Sequence, residues 1–173
     1  REQVQQLSNG IAHRGPHDKS LVAEGPAAMA FRRFSTRRRQ SSQPITDGPL
    51  WLACDGPIFS GTVGEVLARW KTSGSQSLGE ISGEFALAVW DGRQRALWLV
   101  RDATGSRPMF WTRRAGRVAF CSELPPLLRL PWVSRELAVD NLSEYLSFRY
   151  VHAPRTLLQD VFAVPPGHAL RID

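Results

Sequence analysis

The side chains with the most chemical reach in this chain are its two thiols and a run of guanidinium groups. Cys54 and Cys121 are the only cysteines. A cysteine acts as nucleophile or metal ligand through its thiolate, which apolar surroundings disfavour. Both sit within apolar stretches and lie 67 positions apart, a spacing that fits neither a zinc site nor the disulfide framework of a small secreted domain. This pattern suits two buried free thiols in a reducing cytoplasm, and a cytoplasmic protein is expected. No metal site is expected. The guanidinium run comprises Arg32, Arg33, Arg37, Arg38 and Arg39, and such planar forks suit carboxylates and phosphates. Only Phe31 and Phe34 accompany them as stacking groups, and no nucleic-acid motif surrounds them. A polyanion-binding module built on the segment from Arg32 to Arg39 is one reading of this cluster, and a solvated loop is the other. Asp55-Gly56 is a turn-forming dipeptide.

The charge balance points the same two ways. There are 22 Lys+Arg against 16 Asp+Glu, and only two of the 22 are lysine. An arginine excess suits nucleic acid, nucleotide or acyl-phosphate partners, and it also arises from genome composition alone. With 42% apolar and 22% charged residues the chain has the make-up of a folded domain rather than a disordered one. At 173 residues it is one domain able to bury a core without staples. No apolar run reaches the roughly 18–20 residues of a membrane span, and no signal-peptide pattern opens the chain.

These groups need elements to position them. Val4, Leu7 and Ile11 recur at helical spacing. Strands are expected at residues 21–24, 29–31 and 50–54, and Val63, Val66, Leu67 and Trp70 share one helical face. The plainest signal is the pair FALAVW (residues 85–90) and ALWLV (residues 96–100), joined by a turn at Asp91-Gly92. Both strands are apolar at odd and even positions alike, so the sheet that holds them must be covered on both faces. Strands at residues 109–112 and 117–121 flank a turn at Ala115-Gly116. A helix is expected from Asp140 to Phe148 with Asp140 as its N-cap, then a Pro165-Pro166-Gly167 turn and a short last strand in HALRID. Antiparallel strands with interspersed helices make a layered α+β domain.

Seven segments, in order along nearly the whole chain, carry a family resemblance. They are His13-Arg14-Gly15-Pro16, Arg32-Arg33-Phe34-Ser35 with Gln43-Pro44, the ACDGPIF run at residues 53–59, and Gly83-Glu84-Phe85-Ala86 through Trp90-Asp91. The others are the RDATGSRP run at residues 101–108, Phe120-Cys121-Ser122-Glu123, and Tyr145-Leu146 through Pro165-Pro166-Gly167-His168. Together they resemble the class II, N-terminal-nucleophile glutamine amidotransferase domain of the asparagine synthetase family. That family includes amide ligases such as β-lactam synthetases and lasso-peptide cyclases. The resemblance implies a four-layer αββα Ntn-hydrolase-like sandwich, two antiparallel sheets between helical layers, over residues 1–173.

The resemblance also implies a site. The family nucleophile is an N-terminal cysteine on a strand upstream of the first helix, and no residue here matches it. Arg1 is no substitute, because a guanidinium is neither a nucleophile nor a base near neutral pH. The oxyanion-hole position, an Asn-Gly pair in the family, reads Asp55-Gly56. Glycine keeps its backbone donor, but a carboxylate only accepts hydrogen bonds and brings negative charge where negative charge develops. Val63 stands where the family has the aspartate that holds the substrate amino group, and that contact is lost. Arg33 stands at the position that clamps the substrate carboxylate.

The resemblance and these departures from it imply a domain of an asparagine-synthetase-like, ATP-dependent amide-forming enzyme that does not hydrolyse glutamine and has a structural role beside a synthetase domain. That synthetase domain, on the same or a separate chain, is the expected partner and would bring ATP and magnesium. No glycine-rich SGG-type phosphate loop lies in this chain, which is expected to hold no cofactor itself. A homodimer is left open, and neither nucleic acid nor membrane is the expected partner. The alternative from the enzyme class is a working glutaminase domain whose nucleophile segment lies outside this chain.

Overall fold

The paired apolar strands do form a hairpin, and their two-faced character is the key to the architecture. A computed structural model describes residues 1–34 and 42–173. In chain order the elements are α1 (Glu2–Gly10), β1 (Asp18–Glu24), β2 (Ala27–Arg33), β3 (Ile45–Asp47), β4 (Leu50–Asp55), α2 (Val63–Ser73), β5 (Ala86–Asp91), β6 (Ala96–Arg101), β7 (Phe110–Arg114), β8 (Arg117–Cys121), α3 (Leu124–Leu127), α4 (Leu142–Phe148), β9 (Val161–Ala163) and β10 (Ala169–Ile172). Short 3₁₀ turns cover Gly74–Glu80 and Val139–Asn141.

The strands β10-β6-β5-β4-β3 make one five-stranded antiparallel sheet. The β1-β2 hairpin and a three-stranded sheet β8-β7-β9 face it. Successive side chains of a strand point to opposite faces, and this alternation sorts the core into layers. Leu50, Leu52 and Cys54 of β4, Leu87 and Val89 of β5, and Val100 of β6 pack with Val66, Leu67 and Trp70 of α2. Their neighbours Trp51, Ala53, Ala86, Ala88 and Leu99 turn the other way and pack with Met29, Met109, Val164 and Ile172 between the sheets. A third cluster joins Leu7 of α1 to Ala119 and Cys121 of β8, Leu127 of α3 and Leu130. Helix, sheet, sheet and helix therefore stack as a four-layer αββα sandwich, in agreement with the expected α+β class. Each buried aliphatic side chain in these layers contributes about 1.5–3 kcal/mol of transfer free energy.

Some local expectations are corrected. Asn141, not Asp140, is the cap residue of α4, and its side chain makes no cap hydrogen bond. Its amide Nδ2 instead donates to the Thr156 carbonyl at 2.8 Å. The three-residue strands β3 and β9 and the single-turn α3 carry too little periodicity to be expected from sequence alone. Of the arginine run, Arg32 and Arg33 lie on β2, while Ser35 and Arg37 to Arg39 fall outside the described residues. No helix among the described residues is long and apolar enough to cross a membrane.

Candidate functional site

A cavity of about 570 Å³ opens between the inner face of the five-stranded sheet, α1, and the strands β2 and β8. The way each strand meets it is informative. From β5 it takes the alternating small residues Ala86 and Ala88, the signature of a sheet face, and from the end of β4 Ala53, Cys54 and Asp55. From β2 and β8 it takes consecutive residues, 28–34 and 118–122. Only a strand edge presents every residue, and among the described residues neither β2 nor β8 has a second strand partner. The cavity is thus a slot with an alanine floor and two open sheet edges as walls.

The polar groups at the slot gather from four elements. Among the described residues, Arg14, Arg32, Arg33 and Arg107 line it together with one acidic residue, Asp55. Arg32 is committed to structure: its Nε and Nη2 donate to the Ser8 carbonyl at 2.9 Å and to Asn9 Oδ1 at 2.9 Å, fastening α1 to β2. Arg33 faces Asp18 across the β1–β2 ladder, with Nε donating to Asp18 Oδ2 at 3.1 Å.

Asp55 ends β4, where the chain must turn from the sheet. Its Oδ2 accepts from Arg14 Nη2 at 3.3 Å. The same guanidinium lies 3.8 Å from Glu123 Oε1, and His13 Nε2 is 2.9 Å from that oxygen. Gly56 follows with φ of +105°, a conformation side chains rarely adopt, and a Cβ there would sit 2.0 Å from the Glu84 carbonyl oxygen and 3.1 Å from Arg107 Nε. Only glycine allows this approach.

Cys54 and Cys121 border the same cavity and are buried. Burial first, and then the charge of Asp55, push the Cys54 thiol up to about 12 against a lowering by Arg107. Burial likewise raises Cys121. Neither is poised as a thiolate nucleophile. Among the described residues no group of three or more His, Cys, Asp or Glu side chains is placed to hold a metal.

The structure therefore brings Arg33, Asp55 and Gly56 to one cavity. Val63 is elsewhere: it opens α2 and packs half-buried against the outer core of the five-stranded sheet. Its neighbours form a capping box, in which Glu65 N donates to Thr62 Oγ1 at 3.3 Å and Thr62 N to Glu65 Oε2 at 2.7 Å. The T-x-x-E spacing at Thr62 was the available sequence signal for it.

Three site residues have roles that sequence reasoning left unassigned. Arg14 ties Asp55 and approaches Glu123. Arg107 lies against Gly56. Gln43 pairs its side-chain amide with the backbone of Cys54 on β4, accepting from Cys54 N at 2.7 Å and donating to Cys54 O at 3.3 Å. Gln43 was visible as part of a Gln-Pro segment, but its partner is 11 positions away and only the fold brings them together.

The sequence is similar to those of known proteins. Residues 60–173 match the family described as "Glutamine amidotransferase domain". The chain is similar to glutamine-hydrolyzing asparagine synthetase 1 of Bacillus subtilis (strain 168), 25% identical over 192 residues that cover 99% of this chain and 30% of the relative. It is also similar to glutamine-hydrolyzing asparagine synthetase 3 of the same organism, 31% identical over 197 residues covering 98% of this chain and 32% of the relative. The chain thus spans about a third of the length of these curated relatives. A family match over most of the chain, a sandwich of the Ntn type and near-complete alignment with these enzymes agree: the chain belongs to the class II glutamine amidotransferase domains of the asparagine synthetase family.

Proposed function

We propose that this domain accompanies the synthetase region of an ATP-dependent, asparagine-synthetase-like amide ligase and does not hydrolyse glutamine. The observation that carries this reading is the Asp55 carboxylate on the cavity wall beside Gly56, held there by Arg14. At the position where the family resemblance implies a side-chain amide donor, the protein presents an acceptor. Removing one such donor costs about 2.7–4 kcal/mol of transition-state stabilisation, before any repulsion from the carboxylate itself. The Bacillus relatives are about three times as long as this chain, which supports a synthetase region as the partner, with ATP and magnesium bound there. A ligase whose amine is part of its own substrate, as in β-lactam synthetases and lasso-peptide cyclases, has no use for ammonia. For such an enzyme the domain would be kept for its shape.

The test is glutamate release from glutamine by the full-length protein, alongside ATP-dependent pyrophosphate release. The expected result is no glutamate above buffer. Robust turnover abolished by a thiol alkylator would overturn the reading.

One observation favours a second reading, a working glutaminase. The slot between β2 and β8 has open edges on both sides, and an extended segment lying in it would pair with both. In that reading the segment is the strand upstream of α1 that carries the family's N-terminal cysteine. A Met-Cys start in the full sequence, together with alkylator-sensitive turnover, distinguishes this reading from the first.

A further inference from the structure

Helix α4 has no buried residue, although its sequence LSEYLSF is mostly apolar. Of nine exposed large hydrophobic side chains among the described residues, seven fall between positions 137 and 150. Leu146 is 71% exposed, Phe148 68%, Val139 70% and Tyr150 56%. A helix exposed all round gains nothing from its apolar face, so such a patch marks a binding surface. Seven side chains of this size supply an area on the order of the ~800 Å² that one partner contributes to a standard interface. Tyrosine and phenylalanine are also the residues that interface cores favour.

The patch is built rather than frayed. Leu137 bridges Leu158, Ala138 N donates to the Leu157 carbonyl at 2.9 Å, and Gln159 N to the Glu136 carbonyl at 2.9 Å. Glu144, the one charged residue of α4, is turned to its own loop, where it pairs with His152 and with Arg155 Nη2 at 2.7 Å. Besides Glu144, the stretch carries exposed charges at Asp140 and at Arg149, the cap residue that ends α4, one at each end of the helix.

We infer that the apolar face spanning residues 137–150 is the surface on which the synthetase region of the same enzyme docks. The inference rests on the reading that such a region accompanies this domain, and it adds where the two meet. The patch lies within the residues that match the family and within the stretch that aligns with relatives about three times as long. In those relatives the aligned part is joined to a far larger body. An apolar partner surface, rather than a charged one, is what the face accepts.

The experiment uses full-length protein, kept monomeric as judged by light scattering. Side chains are labelled with a photogenerated carbene, and each residue is normalised to its labelling in the urea-unfolded chain. Tyr145, Leu146, Phe148 and Tyr150 are expected to label at least fivefold less than in the unfolded chain. A Leu146→Asp/Phe148→Asp variant is expected to raise proteolytic cleavage after residue 173 at least tenfold, with the far-UV spectrum unchanged. Heavy labelling of the patch in the monomer overturns the inference, as does protection that appears only at concentrations where two copies associate. A full sequence with no synthetase region defeats the proposed function itself. A synthetase region that is present while the patch stays accessible defeats this inference alone.

Discussion

Arg14 and Asp55, 41 positions apart in the chain, meet at the rim of the cavity, with Nη2 3.3 Å from Oδ2. Both side chains are about a third exposed, so the pair contributes at most about 1 kcal/mol to stability. Its consequence is chemical, because it fixes an acceptor beside Gly56. In a full-length protein that carries an N-terminal nucleophile, Asp55→Asn should raise glutamate release by about 10²–10³-fold, the worth of one oxyanion-hole donor. Steady-state assays of the two proteins side by side check this. An unchanged rate would show that Asp55 is not what limits hydrolysis.

Gly56 gives a prediction about stability. A methyl group there would sit 2.0 Å from the Glu84 carbonyl oxygen while the backbone holds φ at +105°. That carbonyl belongs to the loop leading into β5 and is not the far end of a flexible side chain. Gly56→Ala should therefore cost about 2–4 kcal/mol, combining backbone strain with displacement of the loop. Urea midpoints measured with Asp55→Ala as the comparison test it, since that neighbour loses only a partly exposed ion pair.

How far sequence reasoning reached can be judged from these same residues. The hairpin of β5 and β6 was readable because apolar residues on both faces demand two covering layers, while the four-layer sandwich itself was what the family resemblance implied. The capping box at Thr62 and Glu65 was equally local. The cavity was not readable, since it depends on the edges of β2 and β8, far apart in the chain, and on three alanines that come together only through the ladder of β4 with β5. Family resemblance singled out Arg33, Asp55 and Gly56, and the fold places all three on the wall of one cavity. Nothing in the local pattern could show that Arg33 has Asp18 across from it, or that Asp55 has Arg14.

The cysteines offer a direct check on the chemistry of the cavity. Burial raises both thiols, Cys54 to about 12, and so disfavours the reactive thiolate at each. Iodoacetamide should leave Cys54 and Cys121 unmodified in the folded protein over an hour at pH 8, and both should react fully in denaturant. Intact mass and peptide mapping read the outcome. Rapid single alkylation at Cys54 in the folded state would mean that the cavity activates it.

The turn that presents Arg107 to the cavity is organised by Asp102, which yields a pH prediction. Asp102 is buried, and its carboxylate accepts from Thr104 Oγ1 at 2.7 Å, Ser106 N at 2.9 Å and Ser106 Oγ at 3.0 Å. Burial alone would raise its pKa, but these hydrogen bonds, with the nearby charge of Arg101, outweigh it and hold the carboxyl below its ordinary value. A carboxylate depressed in the folded state contributes stability that is present above its unfolded value of about 3.9 and is lost as pH falls through the folded value. Asp102→Asn keeps the shape but weakens three charge-assisted bonds, so it should cost about 2–4 kcal/mol at pH 7. Because the wild type gives up this contribution in acid, the gap between the two urea midpoints should narrow steadily as pH falls from about pH 5. A gap that stays constant as pH falls would mean that the Asp102 side chain holds the turn by its shape and not by its charge.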